Sequence, residues 1–352
     1  MLKELKLQVL RLAKGTGLTG LVLASQWRRR RLPILCYHGV SLADEHLSLP
    51  GVFMAADMFR RRMQLLRDLR IQVLPLGEAL ERLYAGTLPA RSATITMDDG
   101  FYGSYALARP ILREFSFPVT VYLTTYYVQF NRPVFDVMLF YLLWKASGRR
   151  LEWDRASVAS LELNPSGRAR AEAQIRRFVK EEKLTGAQKD EVLAELAARL
   201  GLDYEALCGQ RIMHLMRPEE VSRWAEEGAD MQLHTHRHRV SRNKETFRGQ
   251  IVRNAELLQS MTNRRGLHFC YPSGTYLPEF PSWLREYGLQ SATTCDIGLA
   301  SRHDDPMLLP RVMDTSTLKQ EELEGWLTGV SAWMPVRRYP FSHEQILEDE
   351  AS

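Results

Sequence analysis

The chain has few cysteines, no long apolar run and no compositional bias, and each absence removes a class of protein. Its four cysteines, Cys36, Cys208, Cys270 and Cys295, show no Cys-x-x-Cys spacing. A disulfide framework is therefore excluded, and free thiols, mostly buried in a reducing compartment, are expected. No apolar run approaches the ~18 residues that a membrane-spanning helix requires. With 22 Gly and 16 Pro among 352 residues, 45% hydrophobic and 25% charged, the composition is neither collagen-like nor disordered. The net charge is only +5, and the excess sits at one end. Residues 1–31 carry Lys3, Lys6, Arg11, Lys14 and Arg28 to Arg31 against Glu4 alone. The rest of the chain is slightly acidic, which argues against a nucleic-acid partner.

In that basic segment, Leu2, Leu5, Val9 and Leu12 recur at helical spacing, and Trp27 precedes the arginine run. Residues 1–31 read as an amphipathic segment that either packs on the domain or associates with an anionic membrane surface. Leu18 to Ala24 is apolar like a signal-peptide core, but it is short and four arginines soon follow it. No convincing signal peptide and no transmembrane helix result, so a cytoplasmic or cytoplasmic membrane-surface location is expected. Oligomeric state is open at this level.

Along the body of the chain, strand-like and helical patterns alternate. Strands are predicted at 33–37, 72–74, 93–97, 119–123, 230–233, 267–270, 291–294 and 308–312. Helices are predicted around 59–66, 77–84, 105–115, 218–227, 244–261 and 281–287. Such alternation implies a parallel α/β sheet, and eight strands suggest closure into a barrel, incomplete or not. Between Asp136 and Leu215 only helices are expected, near 137–145, 167–183 and 186–200. That stretch is too long for one crossover and reads as a helical insertion, with Trp144 and its neighbours buried beside the barrel mouth. The organisation expected is a basic segment 1–31, a barrel 32–315 interrupted by the insertion 136–215, and a C-terminal helix and tail 316–352.

Three motifs stand at predicted strand ends, where α/β barrels carry their reacting groups. In T-M-D-D-G, Thr96 to Gly100, two carboxylates precede a glycine. In H-T-H-R-H, His234 to His238, the outer histidines are four apart; on a helical turn both project from one side and can grip one cation. His236 is expected to point away. In C-Y-P-S-G, Cys270 to Gly274, Pro272 and Gly274 can fix the backbone so that an N–H aims into a cleft. Asp99 with His234 and His238 makes a two-histidine, one-carboxylate set suited to Zn²⁺, or to Co²⁺ or Ni²⁺. Asp98, one residue away, is placed to take a proton from a metal-activated water.

These motifs, in this order and preceded by I-L-C-Y-H-G-V at Ile34–Val40, resemble the polysaccharide deacetylases with a NodB-type domain, a carbohydrate esterase family 4-like group. The resemblance spans residues 33–315 without the insertion. It implies a distorted (β/α)7-type barrel and metal-dependent removal of N-acetyl groups from amino sugars of a polysaccharide or saccharide intermediate. It further implies Asp98 as base, Asp99, His234 and His238 as metal ligands, and the Ser273 N–H as oxyanion donor. Tyr271, Pro272 and Gly274 are then expected to line the substrate site.

The chain departs from that pattern in places. Ser273 replaces the usual aromatic residue, and Cys270 replaces an arginine that lies beside the catalytic aspartate. The late Leu-x-His motif that supplies a histidine acid has no match; the comparable strand reads L-L-P-R, Leu308 to Arg311. His38 and His303 are candidate acids, although His303 reads more readily as a core-facing histidine. Arg311, expected at the rim, is the candidate replacement partner for Asp98. Two other readings stand beside the deacetylase: an O-acetyl esterase or other amide hydrolase on the same fold, and a carbohydrate-binding protein that keeps the metal site without turnover.

Overall fold

The computed structural model describes residues 2–335 and 346–347. Seven strands form its centre: β1 (Ile34–Tyr37), β2 (Ser92–Asp99), β3 (Thr120–Leu123), β4 (Asp230–Leu233), β5 (His268–Cys270), β6 (Ser291–Ile297) and β7 (Leu309–Met313). Each pairs in parallel with the next in the chain, and β7 pairs with β1, so the sheet closes. The predicted eighth strand, Gln72–Val73, lies outside this ring and pairs with the start of β2. The fold is the distorted (β/α)7 barrel.

Strands buried on both faces explain the continuous apolar runs that the sequence shows. Along β2, Thr94, Thr96 and Asp98 share one face because side chains alternate along a strand. One apolar cluster joins Ile34, Tyr122, Cys270 and Leu309 with Leu76, Leu80 and Leu83 of the helix Leu76–Ala85. A much larger cluster fills the space between the strands and the surrounding helices. At Pro110 the missing N–H coincides with a widened turn, Ser104–Ala108, before the helix Arg109–Phe115.

The stretch after β3 is not all helix. Between the helices Phe135–Lys145 and Pro165–Glu181 it carries an antiparallel ribbon of Arg150–Trp153 with Val158–Glu162. In the ribbon Leu151 and Trp153 are buried and alternate with exposed neighbours, a period too short to stand out beside long helices. Trp153 is fully buried, whereas Trp144 is only half-buried. The chain returns from this stretch beside the T-M-D-D-G turn, where the Met216 N–H donates to the Gly100 carbonyl over 2.9 Å.

The N-terminal segment forms helices Leu2–Gly15 and Leu18–Ala24, which pack against each other and against the helix Gln320–Thr328. The buried face is Leu7, Leu10 and Ala13, while Leu5, Val9 and Leu12 of the expected stripe are exposed. Apolar residues occupy both sides of this helix, so periodicity alone selects the wrong one. Arg28 is not a surface charge: it is fully buried and donates to the carbonyls of Leu327, Arg31 and Ser92. Of the expected C-terminal helix and tail, the helix is Gln320–Thr328, and residues 336–345 and 348–352 lie outside the described residues. No helix among the described residues is long and apolar enough to cross a membrane.

Candidate active site

The site lies at the C-terminal ends of the strands. β2 runs two residues further than its apolar pattern suggests, so both aspartates belong to its end and alternate in direction. Asp98 turns inward and is 2% exposed; Asp99 leaves the strand with φ 69°, in the left-handed region. Gly100 follows at φ +87°, and a Cβ there would come within 2.2 Å of Leu123 Cδ1. Thr235, His238 and Ser273 also have positive φ, at 61°, 55° and 52°. Non-glycine residues tolerate this region only where their surroundings enforce it, and such residues gather at functional sites.

Asp99 Oδ1 is 3.4 Å from His234 Nε2 and 3.2 Å from His238 Nε2. The three ligand atoms lie within 4.8 Å of one another. His234 Nδ1 is 2.8 Å from the Cys270 carbonyl, which accepts its proton and orients the ring so that Nε2 faces Asp99. Burial lowers the His238 pKa to about 4, against the pull of Asp99, whereas at His234 burial is outweighed by the contacts with Cys270 and Asp99, which raise its pKa. Burial opposes the charge of Asp99, yet His238, His234 and His38 outweigh it and hold the carboxyl down at about 2. One carboxylate and two imidazoles are donors that a zinc-like divalent ion accepts, so the residues fit the expected metal.

The two histidines converge from a bend rather than from the helical turn that their spacing suggests. Asn254, fully buried on the helix Lys244–Thr262, holds that bend. Its Oδ1 accepts from the His234 N–H at 2.9 Å, and its Nδ2 donates to the Leu123 carbonyl and to Thr125 Oγ1. Nothing in the sequence singles out this residue except a polar position on an otherwise inward face. His236 turns away, its Nδ1 3.0 Å from Thr125 Oγ1.

Arg311 is not at the rim. It sits inside the barrel with no exposure, and its Nη1 and Nη2 donate to Asp98 Oδ1 and Oδ2 at 2.8 and 2.7 Å. Its Nε donates to the Thr294 carbonyl at 2.9 Å, which fixes the fork. Cys270 is small enough to share the space, with its Sγ 3.2 Å from Arg311 Nη2 and 3.5 Å from Asp98 Oδ2. Cys36 Sγ approaches the same oxygen at 3.5 Å from the other side. Burial opposes the charge on Asp98, but Arg311 outweighs it and keeps the carboxyl well below the usual carboxylate range. Two other groups of donors, Asp98–His234–Cys270 and Cys36–His38–Asp98, would both need Asp98, whose two oxygens Arg311 already holds.

His38 follows β1 directly, and its Nε2 is 3.8 Å from Asp98 Oδ2. His303 is neither core-facing nor near the site: it is exposed in the loop that enters β7, at the opposite end of the barrel. Ser273 is exposed, and its N–H donates to no group among the described residues. Gly274 beside it has φ +69°, and a Cβ there would lie 2.6 Å from Cys295 Cβ. Pro272 and Gly274 are buried supports of this turn. Tyr271 does not line the site. It is fully buried, packs against Phe269 and Phe280, and donates to the Met307 carbonyl at 3.0 Å. Cys270 points inward, so the next residue turns outward into the helical layer.

A profile of the polysaccharide deacetylase family matches residues 85–292, more than half of the chain. The chain belongs to the polysaccharide deacetylase family. It is a hydrolase of that type, acting on non-peptide carbon–nitrogen bonds of acetylated sugars. No curated protein sequence matches it significantly. Among solved structures, the deacetylase PplD of Streptococcus pyogenes in complex with acetate is similar at 16% identity and TM-score 0.56, covering 84% of this chain and 98% of that one. IcaB from Ammonifex degensii is similar at 16% identity and TM-score 0.52, covering 85% and 97%. The polysaccharide deacetylase BC0361 of Bacillus cereus shows 14% identity and TM-score 0.52, covering 84% and 69%. At these identities the deacetylase shares their fold.

Proposed function

We propose that this deacetylase removes N-acetyl groups from amino sugars of a polysaccharide or a saccharide intermediate, with a divalent metal held by Asp99, His234 and His238. Zn²⁺ suits the donors best; Co²⁺ and Ni²⁺ suit them also. The observation that carries the reading is the division of labour between adjacent carboxylates. Asp99 faces two imidazoles, while Asp98 is engaged by Arg311 and so is separated from the ligand set.

When bound, the metal supplies Lewis acidity and a water of lowered pKa. Asp98 accepts the proton of the attacking water on Oδ2, the oxygen that faces His38. The Ser273 N–H donates to the acetyl oxygen as it gains charge, from a turn whose flanking Pro272 and Gly274 are buried. His38 delivers a proton to the departing amine. Arg311 is a positioning residue that keeps Asp98 ionised and oriented. Asp98 as base and His38 as acid, 3.8 Å apart, favour turnover over a binding protein. Acetate release from matched N-acetylated and O-acetylated oligosaccharides tests the assignment. Release from the N-acetylated set is expected, and release from the O-acetylated set alone would make the protein an esterase.

The N-terminal helices are proposed to rest on an anionic membrane surface. Among the described residues, five of the nine large exposed hydrophobics are Leu5, Val9, Leu12, Leu18 and Leu21, and Arg29 and Arg30 are exposed without an acidic partner. Arg28 ties this segment to Ser92 at the start of β2, so the site opens at the far end of the barrel. Flotation with vesicles of anionic lipid is expected for the wild type and not for a Leu12→Asp, Leu21→Asp variant. Equal flotation of both would refute the attachment.

A further inference from the structure

Four cations gather at the barrel mouth from three separate segments. Arg237 and Arg239 flank the ligand His238, Arg132 lies in the loop after β3, and Lys189 sits on the helix Gly186–Arg199. None of the four has a carboxylate within 4.0 Å among the described residues. Other cations are paired, among them Arg60 with Glu114, Arg109 with Glu227 and Lys145 with Asp44.

The segments are held together by specific contacts. The Tyr126 N–H donates to the His236 carbonyl at 2.7 Å, docking the loop after β3 onto the histidine bend. The Arg237 guanidinium lies 5.3 Å from the centre of the Tyr126 ring, which in turn packs against Phe130 at 5.3 Å. A Cβ on Gly186 would meet Tyr126 Oη at 3.0 Å and Arg132 Nη1 at 3.7 Å, so the Lys189 helix starts against the same group. Burial, then Arg239 and Arg237, lower the Lys189 pKa, with Asp136 opposing. Asp136 is itself paired with Arg176. Like charges placed this close repel unless an anion comes between them.

We propose that Arg132, Lys189, Arg237 and Arg239 form a subsite for a negatively charged sugar, carrying a carboxylate or a phosphate, next to the acetylated sugar bound at His238. This rests on the deacetylase reading and names its substrate class. Phe130, 43% exposed beside Tyr126, offers an apolar face to a sugar ring while the cations take its anionic group.

The test compares three N-acetylhexosamine oligomers of equal length: neutral, alternating with uronic acid, and phosphate-substituted. Lys189→Met and Arg239→Gln are each expected to lower the ratio of kcat/KM for an anionic over the neutral oligomer by about five- to tenfold, mainly through KM. The anionic oligomer that shows the larger loss identifies carboxylate or phosphate as the group bound. Calorimetry with an oligogalacturonate, which has no acetyl group, reads the subsite without turnover, and the same two variants are expected to weaken its binding. Unchanged ratios with unchanged oligogalacturonate affinity would overturn the subsite. If no oligomer released acetate while the variants still weakened oligogalacturonate binding, the deacetylase reading would fail and the anion site would stand. No oligogalacturonate binding by the wild type, with all three oligomers cleaved equally, would overturn the site and leave the deacetylase.

Discussion

Arg311 reaches Asp98 from a strand two places away in the ring and grips both carboxylate oxygens, at 2.8 and 2.7 Å, where the two side chains are 0% and 3% exposed. Removing the guanidinium leaves a buried, unpaired carboxylate, which costs about 3–5 kcal/mol. Arg311→Ala should be destabilised by that amount at neutral pH in denaturant titrations. The folded pKa of Asp98 is depressed, so the pair stabilises above the unfolded value of about 3.9 and loses this as pH falls toward the lower folded value. The gap between wild type and variant should therefore narrow below about pH 4. In a variant that folds, Asp98 should titrate about 1–3 units higher, moving the acid limb of the pH–rate profile up by a similar amount. Arg311→Lys should also be damaged, because a point charge cannot reproduce the fork. An unchanged profile would remove Arg311 from the mechanism.

Ligand and base should separate in metal analysis. Asp99→Ala, His234→Ala and His238→Ala are expected to purify without metal. Asp98→Asn should retain metal and lose about 10²–10⁴ in kcat. Metal and activity falling together in Asp98→Asn would mean that Asp98 is a ligand.

His38 stands 3.8 Å from Asp98 Oδ2, and His38→Gln tests whether it protonates the leaving amine. A kcat loss of about 10²–10⁴ with metal content intact is expected. Full activity in His38→Gln would show that another group protonates the amine.

Asn254 makes buried bonds to the His234 N–H, the Leu123 carbonyl and Thr125 Oγ1. Asn254→Ala should cost about 1–3 kcal/mol for each group left unpaired, and about 10–100-fold in metal affinity as the histidine bend loosens. Wild-type metal affinity in a folded Asn254→Ala protein would show that the bend holds itself.

Local chemistry was the legible part. Asp99, His234 and His238 lie in short motifs at strand ends, and alternating patterns place the seven strands within two or three residues of their limits. The place of Arg311 could be sought because Cys270 stands where an arginine was expected, yet its depth inside the barrel depends on the β6–β7 register, which shifts between Thr293 and Ile297. Asn254 acts through backbone groups distant in sequence, so no spacing betrays it. The direction of Tyr271 is not legible in its motif, because a motif names neighbours without saying which way each turns. The first helix offered two apolar faces, and only contact with the helix Gln320–Thr328 decides that Leu7 and Leu10 go inward.

The most direct measurement is acetate release from an N-acetylated oligosaccharide by the purified protein, before chelation, after chelation and after Zn²⁺ is restored. Activity that disappears with the metal and returns with about one equivalent of Zn²⁺ is the expected result. Acetate release that persists at full rate in metal-free protein would contradict the account at its centre.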